Sequence, residues 1–226
     1  MLGRAAVAMW WDIAPEMQAE FEDWHSHEHM PERLGIPGFL RGTRWIALSG
    51  HPSYFVLYEA ARLATITGGA YLERLNNPTP WSRKMMPHHH NMVRSLCRVR
   101  ASFGRGLSHA LATIRFSPSA RNRKRIATWL TSDAMPQLPQ RKGLTSAHLL
   151  ESQPLSAAPQ TAEQKIRGGD TRADWILIVC GYDAAAMGAV VEKELSADAL
   201  MAHGALPDPV VATYRLAYSL TSKEAA

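Results

Sequence analysis

The stretch "FEDWHSHEHMPERLGIPGF", Phe21 to Phe39, decides how this chain is read, because it has a counterpart 105 residues further on. Residues 126 to 144 read "IATWLTSDAMPQLPQRKGL". Without a gap, Trp24 falls on Trp129, Glu28 on Asp133, Met30-Pro31 on Met135-Pro136, and Gly38 on Gly143. Upstream, "AVAMWW" meets "LATIRF" after one residue of slack, and both are rich in strand formers. Downstream, "YFVLYEAA" matches "WILIVCGYDAA", pairing Tyr58-Glu59-Ala60 with Tyr182-Asp183-Ala184. That second match lies at a shift of 124 against 105, so the second copy carries 19 extra residues between the two blocks. Internal repetition is a stronger guide to architecture than local propensity.

Each copy predicts the same succession. A strand (Ala5 to Asp12; His109 to Ser117) leads into a helix (Pro15 to Arg33; Ser119 to Leu138), with Pro15 suited to an early helical position. A second strand follows the glycine (Phe39 to Leu48; Leu144 to Ser152), then a third ("YFVLYEA"; "WILIVCG"). A second helix (Leu63 to Leu75; Ala184 to Leu200) and a last strand ("HNMVRSLCRVRAS"; "VVATYRLAYSL") close the unit. The order βαββαβ is the ferredoxin-like motif. One such unit leaves a face of its sheet bare, and two in one chain can cover each other. The expected fold is therefore α+β: two tandem ferredoxin-like units forming a pseudo-dimeric α/β barrel. The units are expected at 1–104 and 105–226. Pro, Ser and Gln gather in Ser152 to Asp174, which predicts a flexible loop at about 152–174.

Composition narrows the function classes. Of 226 residues, 46% are hydrophobic and 20% charged, enough for a sizeable core. There is no apolar run of about 18 residues, so no membrane partner is expected. The start lacks a long apolar segment and a cleavage site. Cys97 and Cys180 sit in apolar runs, as buried thiols of a cytoplasmic protein would. The net charge of +5 owes much to "RNRKR" (Arg121 to Arg125). No aromatic residues interleave that run, so it reads as a solvated helix face rather than a nucleic-acid site. There is no phosphate loop, no GxSxG elbow and no CxxC, and no organic cofactor is expected.

The βαββαβ unit with Trp24, His29, Pro31 and Pro37-Gly38-Phe39 resembles the dimeric α/β-barrel superfamily, especially its EthD-like branch. The resemblance is clear over residues 5 to 100 and faint over 108 to 221. It implies a barrel and a pocket. Members use that pocket for cofactor-free oxygenation, lactone isomerisation, polyketide cyclisation or haem chemistry, so the resemblance implies no single reaction.

The histidines separate scaffold from decoration. The second copy keeps the tryptophan, an acid, Met-Pro and the glycine. It has Leu130, Ser132 and Ala134 where the first has His25, His27 and His29. Trp24 and Trp129 are thus expected in the core, with Met-Pro ending each helix. At 100° per residue, His25 and His29 share one side of the first helix and Glu28 lies near its end. Three readings remain open. A metal ion would need His25 and His29 plus a third ligand, Glu28 or one of His88, His89 and His90. Acid/base chemistry would use His29, assisted by His25, with Glu28 orienting a ring. A solvated helix C-terminus would hold cationic histidines against the dipole. Trp10, Arg44 and Tyr58 on strands, with Trp81 and His90 in the Pro- and Asn-marked loop Leu75 to Asn91, are candidates to bind substrate. The expected function is a small-molecule enzyme of isomerase, lyase/cyclase or cofactor-independent oxygenase type, acting on an aromatic or polyketide-like substrate. A non-catalytic small-molecule binder is the alternative. Assembly of pseudo-dimers into a homo-oligomer is also open.

Overall fold

The computed structural model describes residues 1–48, 50–154 and 159–226. The middle of the expected flexible loop, residues 155–158, lies outside them. Strands β1 (Ala5–Ile13), β2 (Phe39–Ala47), β3 (Tyr54–Ala60) and β4 (His89–Gly104) alternate with helices α1 (Gln18–Trp24), α2 (Met30–Leu34), α3 (Leu63–Thr67), α4 (Gly69–Asn76) and α5 (Pro80–Met85). The second half follows with β5 (Ala110–Phe116), α6 (Arg123–Thr128), β6 (Leu144–Ser152), α7 (Ala162–Ile166), β7 (Trp175–Gly181), α8 (Ala184–Lys193), α9 (Ala197–His203) and β8 (Val210–Thr221). Within the first half β3 lies between β1 and β2, and β4 flanks β1, all antiparallel. The second half repeats this as β8-β5-β7-β6. Over the whole chain the strand order is β1-β3-β2-β8-β5-β7-β6-β4, a closed barrel. This is the α+β, duplicated ferredoxin-like fold expected from the repeat.

By contacts the chain forms two compact units whose limits cross the midpoint. The first gathers Leu2–Arg98, Gln153–Arg172 and Ala217–Ala226; the second gathers Met1, Val99–Ser152 and Ala173–Leu216. Each unit has its own core. In the first, alternate residues of β1 (Val7, Met9, Trp11) pack with Phe21, Trp24, Met30 and Tyr58. In the second, Ala112, Ile114 and Phe116 pack with Ile126, Leu130, Met135 and Leu177. The strand β1 is buried on both faces, which suits its near-continuous apolar sequence.

Four sequence expectations change. First, the ladders set Ala60 opposite Ala5 and Gly181 opposite Ala110, so β3 maps onto β7 at a shift of 121 (60 to 181), not 124. Tyr58 then corresponds to Val179. Tyr182 lies beyond β7 and is 55% exposed. Second, Met-Pro does not end the first helix. Residues His25–His29 form a π-helical turn, in which the Met30 N–H bonds the His25 carbonyl five residues back, and α2 continues through Pro31. The second copy has the same widened turn at Trp129–Ala134, with Met135 N–H donating to Leu130 O at 3.0 Å. Proline supplies no N–H and crowds the turn before it, and a π turn is where a helix accommodates such a misfit. Third, the two long second helices are broken, at Gly68 with extended backbone and at Ser196, which caps α9 through Ala199 N–H. Residues 80–85 of the expected loop are helical instead, because Thr79 caps Ser82 N–H and Pro80 stands at the first position. Fourth, Trp129 is half-buried rather than core, stacked on His203 at 3.9 Å.

The glycines Gly38 and Gly143, equivalent at the shift of 105, both adopt positive φ, +95° and +91°. A side chain there would also strike Thr65 or Ala186, so these two residues are shared scaffold. Of the basic run, Arg123 is tied to Glu151 and lies over Trp175, and Arg125 bonds the Ala202 carbonyl. Both cysteines are buried, and neither is in a disulfide among the described residues. Among the described residues no helix is long and apolar enough to cross a membrane.

Candidate functional site

The π turn aims two of the three helix histidines inward. His25 is 1% exposed and His29 7%, whereas His27 is exposed and paired with Asp23. The solvated-terminus reading therefore fits His27 alone. His89, at the start of β4, joins the pair from another element. The His25 and His29 rings lie 5.6 Å apart, His29 rests on Trp24 at 4.4 Å, and His89 rests on Trp11 at 5.2 Å. Trp11 sits at a bulge of β1 opposite β4, between Trp10 and Asp12, a place where strands re-aim side chains. The bulge is pinned by Asp12, which accepts bonds from Ser53 N–H, Ser53 Oγ, His51 and Asn91. Burial opposes ionisation of Asp12, but these donors outweigh it and hold its pKa at about 2.

Tyr58 Oη and His25 Nε2 share a hydrogen at 3.4 Å. His89 Nδ1–H donates to the Met85 carbonyl at 3.1 Å, which leaves its Nε2 as an acceptor. The Nδ1 atoms of His25 and His29 are buried and have no hydrogen-bond partner. Burial, then the Arg44 cation, holds His25 well below the ordinary histidine pKa. Burial, then Arg33, does the same for His29. His89 is lowered to about 3, by burial and then by Arg167. All three imidazoles are thus neutral at physiological pH.

A buried ion network borders them. Arg33, fully enclosed, pairs with Glu163 and with Glu32 at 3.1 Å. Arg167 pairs with Asp170 at 2.7 Å and lies 3.7 Å from Glu163. Glu163 and Arg167 come from α7 and the turn after it, inside the span expected to be a flexible loop. There Thr161 and Gln164 form a reciprocal capping box. Thr171 N–H and Arg94 N–H bond the Met92 and Thr171 carbonyls, which ties the segment to β4.

The structure brings together His25, His29 and Tyr58 of the predicted residues. Glu28 does not orient a histidine: it accepts from Trp24 Nε1 at 3.1 Å and Thr79 Oγ1 at 2.5 Å. The π turn sets Glu28 away from the side that an α-helical turn would give it. Trp10 is fully buried and stacks on Phe55 at 4.8 Å, on the face of β1 opposite Trp11. Arg44 donates to the Glu22 carbonyl at 3.0 Å. Trp81 donates to Glu20 at 3.2 Å. His90 is exposed, and its neighbour His89 takes the inward place. Sequence reasoning named His89 only as one of three possible metal ligands, and missed Arg33, Arg94, Glu163 and Arg167. A signal existed for α7, since "TAEQ" (Thr161 to Gln164) is a capping-box sequence.

The space beside the imidazoles is only about 20 Å³, room for a single water-sized group. A porphyrin does not fit it, so no haem chemistry is derived. Among the described residues no three His, Cys, Asp or Glu side chains converge to hold a metal ion. A larger groove of about 430 Å³ lies alongside, sharing Leu75 and Arg94 as walls.

No family model matches the chain, and no curated protein matches it in sequence. Solved structures do match in fold. An anthrone oxidase-like protein superposes with a TM-score of 0.67 at 11% identity, covering 98% of this chain and 94% of the other. A candidate monooxygenase from Fusobacterium nucleatum gives 0.61 at 10% identity, covering 98% and 96%. A major regulator of staphylococcal pathogenesis gives 0.51 at 10% identity, covering 93% and 98%. At such identities the likeness is one of fold.

Proposed function

We propose that this chain, which has the fold of the dimeric α/β-barrel superfamily, is a small-molecule enzyme whose working site lies in its first unit. One observation carries the reading: the first unit bears polar groups at positions where the second bears apolar ones. At the shift of 105, His25, His29 and Arg33 stand where Leu130, Ala134 and Leu138 stand. By ladder register, Tyr58 stands at Val179 and Arg94 at Val211. Leu130, Leu138 and Val179 are all at most 1% exposed, so the fold is content with hydrocarbon there. Burying imidazoles and guanidinium groups instead costs free energy, and a site that keeps them gains something other than stability.

The chemistry this arrangement supports is proton transfer. His29 is unprotonated and takes the role of base, assisted by His25; burial and Arg33 weaken it as a base until the anion forming on the substrate offsets them. The nearby Arg33 cation favours the anion left on the substrate. The water-sized space beside the rings suits either the reacting atom or one relaying water. Removal of a proton from an activated C–H or O–H is the step shared by isomerisation, cyclisation and cofactor-independent oxygenation. The EthD-like likeness of the first helix points to the same classes. Anthrone, suggested by one fold neighbour, is an enolisable tricyclic ketone and a suitable first probe. Oxygen-free deuterium exchange at its methylene should run at least tenfold above buffer with the protein and fall to background with His29→Ala. Exchange at full rate with His29→Ala removes this residue from the proposal.

A second reading, a non-catalytic binder, draws on the small volume beside the rings. Imidazole NMR separates the two: His25 and His29 resonances that respond to no member of a panel of enolisable ketones favour binding elsewhere without turnover.

A further inference from the structure

The groove beside the histidine cluster has a property of its own. One side is hydrocarbon from Leu63, Ile66, Leu72, Leu75 and Leu96, the other carries the polar Gln153, Gln160, Thr161 and Gln164, and its volume of about 430 Å³ is that of a site for a small organic molecule. Among its described walls one residue is charged, Arg94. Arg94 is 8% exposed, lies over the Tyr71 ring at 5.7 Å and, among the described residues, donates one side-chain hydrogen bond, Nη2–H to Tyr71 Oη at 3.1 Å. Its neighbours Arg33 and Arg167 each have carboxylates within 4.0 Å, but among the described residues no carboxylate lies that close to Arg94. Asp170 and Glu163 act on it only from further away. A buried cation without a contacting anion is costly, and the cost falls when an anionic ligand supplies one. The second unit has Val211 at this position, so the strand itself does not require arginine.

We infer that this groove is a binding site for an apolar monocarboxylate, whose carboxylate takes the free donors of Arg94 and whose hydrocarbon body lies along Leu63, Ile66, Leu72 and Leu96. Guanidinium and carboxylate are matched in shape as well as charge, and the pairing gains strength in surroundings that exclude water. This site stands independently of the proton-transfer reading, because occupancy is measured without turnover.

The test is calorimetric titration of the full chain with 2-naphthylacetate and with its neutral amide. The expected result is that the acid binds about tenfold to a hundredfold more tightly than the amide, the range of a charge-assisted hydrogen bond. Arg94→Met, which keeps the length of the side chain, should abolish that preference while leaving amide binding in place. Equal binding of acid and amide to the unaltered protein overturns the inference, as does a preference that survives Arg94→Met, or binding of neither compound. Leu72→Trp gives an independent check, since Leu72 is 41% exposed and its enlargement fills the groove from the rim. It should block both compounds. Undiminished acid binding to a folded Leu72→Trp protein places the ligand elsewhere and sinks the proposal, even if Arg94→Met fails to fold.

Discussion

His25 and His29 occupy positions that a core would normally give to hydrocarbon, and their energetics can be separated from their chemistry. His25→Leu installs the second unit's residue and removes a buried, unbonded Nδ1. Combined with Tyr58→Val, which removes the phenol that His25 Nε2 otherwise meets, it should stabilise the protein by about 1 kcal/mol in urea unfolding, since an unsatisfied buried polar group costs about 1–3 kcal/mol. Activity should fall in the same variant. His29→Ala should lose about 10²- to 10⁴-fold in kcat/KM, the usual worth of a general base, with a melting temperature within a few degrees. The histidines also set a pH dependence. All three are neutral when folded and take the ordinary value, near 6.5, when unfolded. The unfolded chain therefore binds more protons below that pH. The stability at stake is present above about pH 6.5 and is lost as the pH falls towards about 3 for His89. Each histidine adds a slope of about 1.4 kcal/mol per pH unit within its window. Unfolding free energies measured between pH 6.5 and 4.5 should show that slope, and His25→Leu should reduce it by one histidine's share. At this scale the sequence exposed only part of the site. His25 and His29 stood out because the repeat lacked them. Tyr58 was among the candidates, but a match three residues out of register, made through a Tyr-acid-Ala triplet that the ladders do not honour, gave it a false counterpart in Tyr182. His90 was chosen over His89 because nothing local says which of three consecutive histidines a strand turns inward.

Among elements, the strands were the most legible, since β3, β6 and β7 coincide with their apolar runs. The helices were less so. A π turn has no composition of its own, and Met-Pro reads as an ending when it marks a widened turn that both copies keep. The capped helix α7 was lost inside a Pro- and Gln-rich stretch, though it places Glu163 against Arg33. That contact makes α7 an anchor. Glu163→Ala leaves Arg33 and Arg167 without a shared carboxylate and should cost about 3–5 kcal/mol, the penalty for breaking a buried ion pair from one side. Thermal unfolding measures the loss, and limited proteolysis should cut within 153–172 sooner than in the unaltered protein. An unchanged melting temperature would show the pair to be dispensable.

For the whole molecule, the repeat announced two units at 1–104 and 105–226, and contacts draw the lines elsewhere. The first unit takes Gln153–Arg172 and Ala217–Ala226 from the second half of the sequence. Tyr218, Leu220 and Ala225 pack on its core, and Glu163 answers its buried Arg33. A fragment of residues 1–104 lacks both contributions. It should be unfolded or aggregated by circular dichroism when expressed alone, and should regain structure when co-expressed with 105–226. Sequence periodicity could not foresee this, because repeats report where a pattern recurs and not which segment packs on which. The exchange also sets a clock. The histidines leave the ribosome early, but the unit that buries them also takes in Ala217–Ala226. At about 5–20 residues per second, the 128 residues after Arg98 take on the order of ten seconds to make. For that interval three imidazoles and an unanswered arginine wait in water, because the unit around them is completed only when Ala217–Ala226 have been made.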